Sequence, residues 1–209
     1  MNYQQGFFAS ETFPEFKVGG GYGNKYKYGR PQQKPKASIA EVVTQGPYAE
    51  ILNRILGRVR VSSPDSFGAI AGELSKPNRT LFMPTNDAFK DLLDRNPGLE
   101  NALVSNPSLL VQVLTYHLVD ASVKFAAVAD LIGKSADKKC VSVTALDKNS
   151  IRICLGGPAQ PKGPNVPPVP VLVNDAQLKM IDFATTNGSV VHVIDKVLLS
   201  PTVLAALKK

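Results

Sequence analysis

Apolar residues recur along this chain first at helical and then at strand spacing, and the change falls near Val123. Ser38 with Glu41 three residues on has the spacing of a capping box, in which hydroxyl and carboxylate each satisfy a free N–H, so a helix is predicted from there. Beyond the break at Gly46-Pro47, the residues Tyr48, Ile51, Leu52 and Ile55 form one apolar stripe at helical spacing. Pro64 to Ser75 reads as a second short helix with Phe67, Ile70 and Leu74 facing inward. The run TLFMP, Thr80 to Pro84, reads as a short buried strand, and Thr85, Asn86 and Asp87 offer cap groups for the helix AFKDLLDR. Asp87 in particular reads as a helix cap. More helix is predicted over Leu99 to Val104 and Ser108 to Tyr116.

From Val123 the runs SVKFAAV, CVSVTAL, SIRICL, PVLVND, AQLKMIDFAT and SVVHVIDKVLL, separated by turn residues, read as strands. Six prolines between Pro158 and Pro170 make an extended loop, because proline fixes its own φ and cannot donate to a ladder. No internal repeat interrupts this order. The predicted class is α+β, a single domain over residues 37–209 with a helical half packed on a sheet half.

Residues 1–36 break the pattern. They are glycine-rich, then rich in proline, glutamine and lysine, with few aliphatic residues to bury, and read as a flexible, disordered tail. The tail nonetheless holds eight of the chain's fifteen aromatic residues, more than a solvating linker uses, so part of it is expected to dock on something. It also carries six Lys/Arg against two Glu, part of the net charge of +7. That basicity does not imply nucleic-acid recognition, since no DNA- or RNA-binding pattern accompanies it. No window approaches the length of apolar sequence that spans a bilayer.

The two cysteines, Cys140 and Cys154, lie in strand-like runs on either side of the turn-forming LDKNS. They can bridge if the hairpin has an odd loop or a bulge; otherwise they are two buried thiols. A bridge would imply an oxidising compartment. Two triplets, Asn78-Arg79-Thr80 and Asn187-Gly188-Ser189, have the N-glycosylation pattern.

Three segments resemble the fasciclin domain family: TLFMPTNDAF from Thr80 to Phe89, the Tyr116-His117 pair in LLVQVLTYHLVD, and DAQLKMIDFATTNGSVVHVIDKVLLSP from Asp175 to Pro201. Their order and spacing match as well, and the likeness covers Ser38 to Leu207. The resemblance implies a non-enzymatic, secreted module. Alternation puts His192 among aliphatic side chains, and the resemblance gives His117 and Tyr116 the same structural role. A buried neutral imidazole needs partners for its nitrogens, and a backbone carbonyl or hydroxyl is expected to supply one. Neither histidine reads as a metal ligand, because zinc needs three or four convergent donors. No nucleophile elbow, P-loop or HExxH is present; Asp182 and Asp195 read as strand-end or turn hydrogen-bonders.

Fasciclin-like proteins are mostly adhesion or matrix-interaction modules at cell surfaces, often in tandem and often anchored. Here one copy is seen, with no apolar leader before it and no lipid-anchor pattern after Leu207. That layout, with the basic aromatic tail and the paired triplets, is similar to a soluble, exported branch of the family in green algae that binds the carotenoid astaxanthin. The resemblance implies a hydrophobic small-molecule partner carried for solubilisation or photoprotection. A carotenoid is a rigid apolar rod about 30 Å long, the length of a twenty-residue helix, and needs an aliphatic tunnel or groove. The expected walls are Tyr48, Ile51, Leu52 and Ile55 on one side and Val171, Val173, Met180 and Phe183 on the other, at the seam between helices and sheet. The alternative partner is a membrane or matrix surface.

Overall fold

The capping box at Ser38 forms. The Ser38 N–H and hydroxyl donate to Glu41 Oε2 at 2.6 and 2.9 Å, and the Glu41 N–H donates to Ser38 Oγ at 3.2 Å. This starts α1 (Ile39–Gln45) in the computed structural model, which describes residues 38–45, 49–136, 139–158, 162–163, 165–185 and 187–207. The tail read over residues 1–36 lies outside the described residues.

Helices α2 (Glu50–Ser62) and α3 (Pro64–Ser75) follow, the second opened by a proline whose missing N–H costs nothing at a first helical turn. Strand β1 (Thr80–Pro84) is buried along its whole length. Thr85 then caps α4 (Asn86–Arg95), accepting the Ala88 N–H at 3.2 Å. Asp87 is therefore not the cap. It sits in the first turn, where a carboxylate faces the positive end of the helix. Helices α5 (Leu99–Ser105) and α6 (Pro107–Tyr116) and the short strand β2 (Leu118–Val119) complete the first half.

The second half departs from the expected run of strands at its start. SVKFAAV is not a strand: α7 occupies Phe125–Lys134, burying Phe125, Val128 and Ile132 at intervals of three and four. Strands β3 (Cys140–Thr144), β4 (Ser150–Leu155), β5 (Val171–Val173), β6 (Ala176–Ala184) and β7 (Val190–Ile194) follow, then α8 (Pro201–Leu207). The strand read through Leu199 ends at Ile194, and the helix after it was not expected.

The strands form one seven-stranded sheet in the order β2-β1-β7-β6-β5-β4-β3. Only β1 and β7 run parallel, pairing Thr80 with Val190 through Pro84 with Ile194. The sheet curls until its ends meet, for Val119 bridges Ala145 and the Leu146 N–H donates to Leu118 O at 2.7 Å. Two cores result. Val191 and Val193 of β7 and Leu81 and Met83 of β1 face helices α1 to α6, while Ile194 and Phe82 face a second cluster with Tyr116, α7 and the β3–β4 hairpin. Period-two alternation along β1 and β7 thus feeds opposite cores.

Candidate functional site

The predicted ligand walls are not brought together. Leu52 and Ile55 lie in the helical core, each no more than 1% exposed, and the half-buried Ile51 packs against it. Val171 and Val173 lie fully buried in the second core, on the other face of β7. Met180, half-buried, packs against the helical core because two bulges in β6, on either side of it in the register with β7, re-aim its side chain. Tyr48 and the side chain of Phe183 lie outside the described residues. The seam expected to hold a rod is occupied by Leu81, Met83, Val191 and Val193 packed on the helices, each at most 4% exposed. Val171 and Val173 thus serve a different core from Leu52 and Ile55, and of the second expected wall only Met180 joins the helical side.

A concavity lies elsewhere. A groove of about 510 Å3 runs between α3 and α6 beside β2, lined by Ala69, Ile70, Leu74, Val111, Leu114 and Leu118, with Glu73, Lys76 and Arg79 as its charged part. Arg79 is almost wholly buried there, its side chain 5% exposed. Its guanidinium donates to Glu73 O at 2.9 Å, to Glu73 Oε2 at 2.6 Å and to Asp120 Oδ1 at 3.1 Å. Hydrogen bonds from Lys76 and then Arg79 hold the Glu73 carboxyl below the usual carboxylate range. A second groove of about 400 Å3, lined by residues such as Val119, Val123 and Val143, shares Leu146 with the first.

Both histidines are cross-links. His117 Nδ1 lies 2.7 Å from Val113 O and its Nε2 accepts the Leu198 N–H at 2.9 Å, so the proton sits on Nδ1. Burial pushes its pKa down to about 4, against a partial opposing effect of the Val113 carbonyl. His192 has the other tautomer: Nδ1 accepts the Asp182 N–H at 3.3 Å and Nε2–H donates to Val123 O at 2.9 Å. Burial lowers its pKa as well, and its ring stacks on Phe82 with centroids 5.6 Å apart. The expected backbone carbonyl is present at each ring. Tyr116 points away from its neighbour into the second core, where its hydroxyl donates to Ser150 O at 3.0 Å and accepts from Asn174 Nδ2 at 2.9 Å.

Cys140 and Cys154 are direct cross-strand partners and form a disulfide. The Leu155 N–H donates to Lys139 O at 2.8 Å, so the neighbouring Cys pair is a non-hydrogen-bonded one, where side chains stand closest. The odd loop the bridge required is Ala145 to Asn149. Asp195 accepts the Gln177 N–H at 2.6 Å, and Asp182 accepts the Phe125 N–H at 2.7 Å from inside the bulged strand rather than at a strand end. Among the described residues, no three or more His, Cys, Asp or Glu converge on a possible metal position.

Residues 67–200, which span this crossed and pinned sheet, match the family model described as Fasciclin domain. The chain belongs to the fasciclin domain family. It is 33% identical to periostin of Homo sapiens over 119 residues, which is 57% of this chain and 12% of that protein. Among solved structures it is similar to a FAS1 domain pair from the insect cell adhesion molecule fasciclin I, with a TM-score of 0.59 and 16% identity over 81% of this chain and 53% of that one. That likeness shows the fold alone. The chain thus spans about an eighth of the one relative and half of the other. Among the described residues no helix is long and apolar enough to cross a membrane.

Proposed function

We propose that this fasciclin domain is a non-enzymatic, extracellular binding module whose ligand is a rigid apolar molecule of the carotenoid class, such as astaxanthin, held on its surface rather than in its core. The observation that carries the reading is the groove between α3 and α6, whose lining includes Ala69, Ile70, Leu74, Val111, Leu114 and Leu118. A concavity with aliphatic walls and a few polar groups at its rim is where such a ligand binds. The disulfide supports an oxidising compartment. A rod of about 30 Å is longer than either flanking helix, 12 residues in α3 and 10 in α6, so part of it stays outside the groove. Burial against such a surface gains roughly 25 cal/mol per Å2, so affinity needs no specific polar contact, and related pigments bind alike. Solubilisation and photoprotection follow from holding such a molecule in water.

The test is co-elution. The protein is mixed with astaxanthin in dilute organic solvent, freed of excess, and followed by its visible band. Retention of a shifted band supports the reading, and loss of most of it in Ala69→Glu with Val111→Glu places the pigment in the groove. Colour left on the column overturns the reading, and retention unchanged by the two variants moves the site out of the groove.

A second reading, adhesion to a cell or matrix surface, is favoured by membership of the fasciclin family, whose members are mostly such modules. Binding of the unpigmented protein to cells or matrix, saturable and lost on unfolding, supports it.

A further inference from the structure

The two acceptor triplets meet in one hydrogen-bond knot. Asn187 Oδ1 accepts from Thr185 Oγ1 at 2.7 Å and from the Ser189 N–H at 3.3 Å, while its Nδ2 donates to Ser75 O at 3.2 Å and Lys76 O at 3.5 Å. Ser189 Oγ accepts the Arg79 N–H at 3.1 Å and donates to Lys76 O at 3.3 Å. The Asn78 N–H donates to Asn187 O at 3.3 Å. The two asparagines stand in opposite situations in this knot. Asn187 is half-buried with both amide atoms engaged. Asn78 is exposed, with φ of 55°, and its side chain makes no hydrogen bond among the described residues.

We propose that the folded chain carries an N-linked glycan on Asn78 and excludes one from Asn187, whose amide is the clasp between the end of α3 and the turn from β6 to β7. The inference rests on the extracellular reading but not on the identity of the ligand. In the transfer, Asn Nδ2 attacks the anomeric carbon of a lipid-diphosphate-linked oligosaccharide. The new C–N bond replaces the C–O bond to the diphosphate, which leaves, and Nδ2 gives up one proton. Thr80 is fully buried in the fold, its hydroxyl donating to Ala121 O at 2.7 Å and accepting the Val123 N–H at 2.8 Å, so the transfer precedes pairing of β1. Folding then acts as a filter. A sugar on Asn78 projects into solvent, whereas a sugar on Asn187 removes a donor from the clasp and sets its bulk against the carbonyls of Ser75 and Lys76.

The experiment sends the full chain through the secretory pathway of a eukaryotic host behind a supplied leader and maps both sites in the medium by enzymatic deglycosylation in heavy-oxygen water and peptide mass spectrometry. Occupancy of Asn78 exceeds that of Asn187 by about threefold or more, the ratio that loss of one hydrogen bond at the low end of its usual worth sustains, and Asn78→Gln is secreted without glycan. Comparable occupancy at Asn187 in protein of unchanged melting temperature overturns the inference. So does absence of glycan from both sites in protein whose Cys140–Cys154 bond has formed, an outcome that leaves the extracellular reading intact. Secreted chains with free thiols count against that reading, and this inference falls with it.

Discussion

His117 and Leu198 are joined ring to backbone: Nε2 accepts the Leu198 N–H at 2.9 Å, tying the end of α6 to the segment after β7. Only the neutral ring can accept. Because its folded pKa of about 4 lies below the unfolded value of 6.5, the unfolded chain binds more protons between those limits. Stability from this residue is therefore complete above pH 6.5 and is lost as pH falls toward 4. The loss is about 3 kcal/mol, and His192 adds in the same direction. Thermal melts at stepped pH show a falling melting temperature over this window, with a shallower slope in His117→Gln. A flat profile contradicts the geometry.

The Cys140–Cys154 bond closes the hairpin at the β3 end of the sheet order. A loop of this length stabilises by about 3 kcal/mol in the chain-entropy account. Cys140→Ser with Cys154→Ser lowers the melting temperature, and reductant does the same to the parent but leaves the double variant unmoved. Hydrogen exchange rises first in β3.

Arg79 is nearly buried while Asp120, one of its partners, is 73% exposed along its side chain. The two ends of that ion pair are therefore unequal. Denaturant titration shows Arg79→Ala destabilised by about 2 kcal/mol or more, since Glu73 O loses a partner and packing is lost. Asp120→Ala loses less than about 0.5 kcal/mol, as exposed pairs do.

Asp182 sits at φ of 57° inside β6, its carboxylate capping α7 at the Phe125 N–H and its own N–H held by His192. Asp182→Ala removes the cap and places a residue with a Cβ and no local hydrogen bond in the left-handed region, a cost of about 1–2 kcal/mol. Asp182→Asn keeps an acceptor and tolerates that φ, so equilibrium unfolding shows less than half the effect.

What the sequence made legible was local. The Ser38 box, Pro64 opening α3, and the buried TLFMP strand each follow from a few adjacent residues, and each forms where predicted. The helix α7 is hidden because Val123, Phe125 and Ala127 alternate as a strand does; extending the window to Val128 and Ile132 reveals the spacing of three and four that decides it. The disulfide was readable as a condition on loop parity but not as a fact. The expected ligand walls rest on residue type, and type does not say which core a residue serves: Leu52 and Val173 are both buried and belong to different cores. The groove went unseen because it joins α3, α6 and β2, distant in sequence, and Arg79 lay hidden as the middle residue of a glycosylation triplet.

The parallel pairing of β1 with β7 bears on how the domain comes to exist. Its partners stand 110 residues apart, as the Arg79–Ser189 contact beside it does, yet they lie side by side as the second and third strands of the sheet order. On a ribosome, β1 emerges long before the strand that must lie against it, and until then the backbone edge that pairs with β7 has no partner. Non-local contacts of this kind slow folding and lengthen exposure to aggregation, so chaperone demand during synthesis is a consequence of the topology itself.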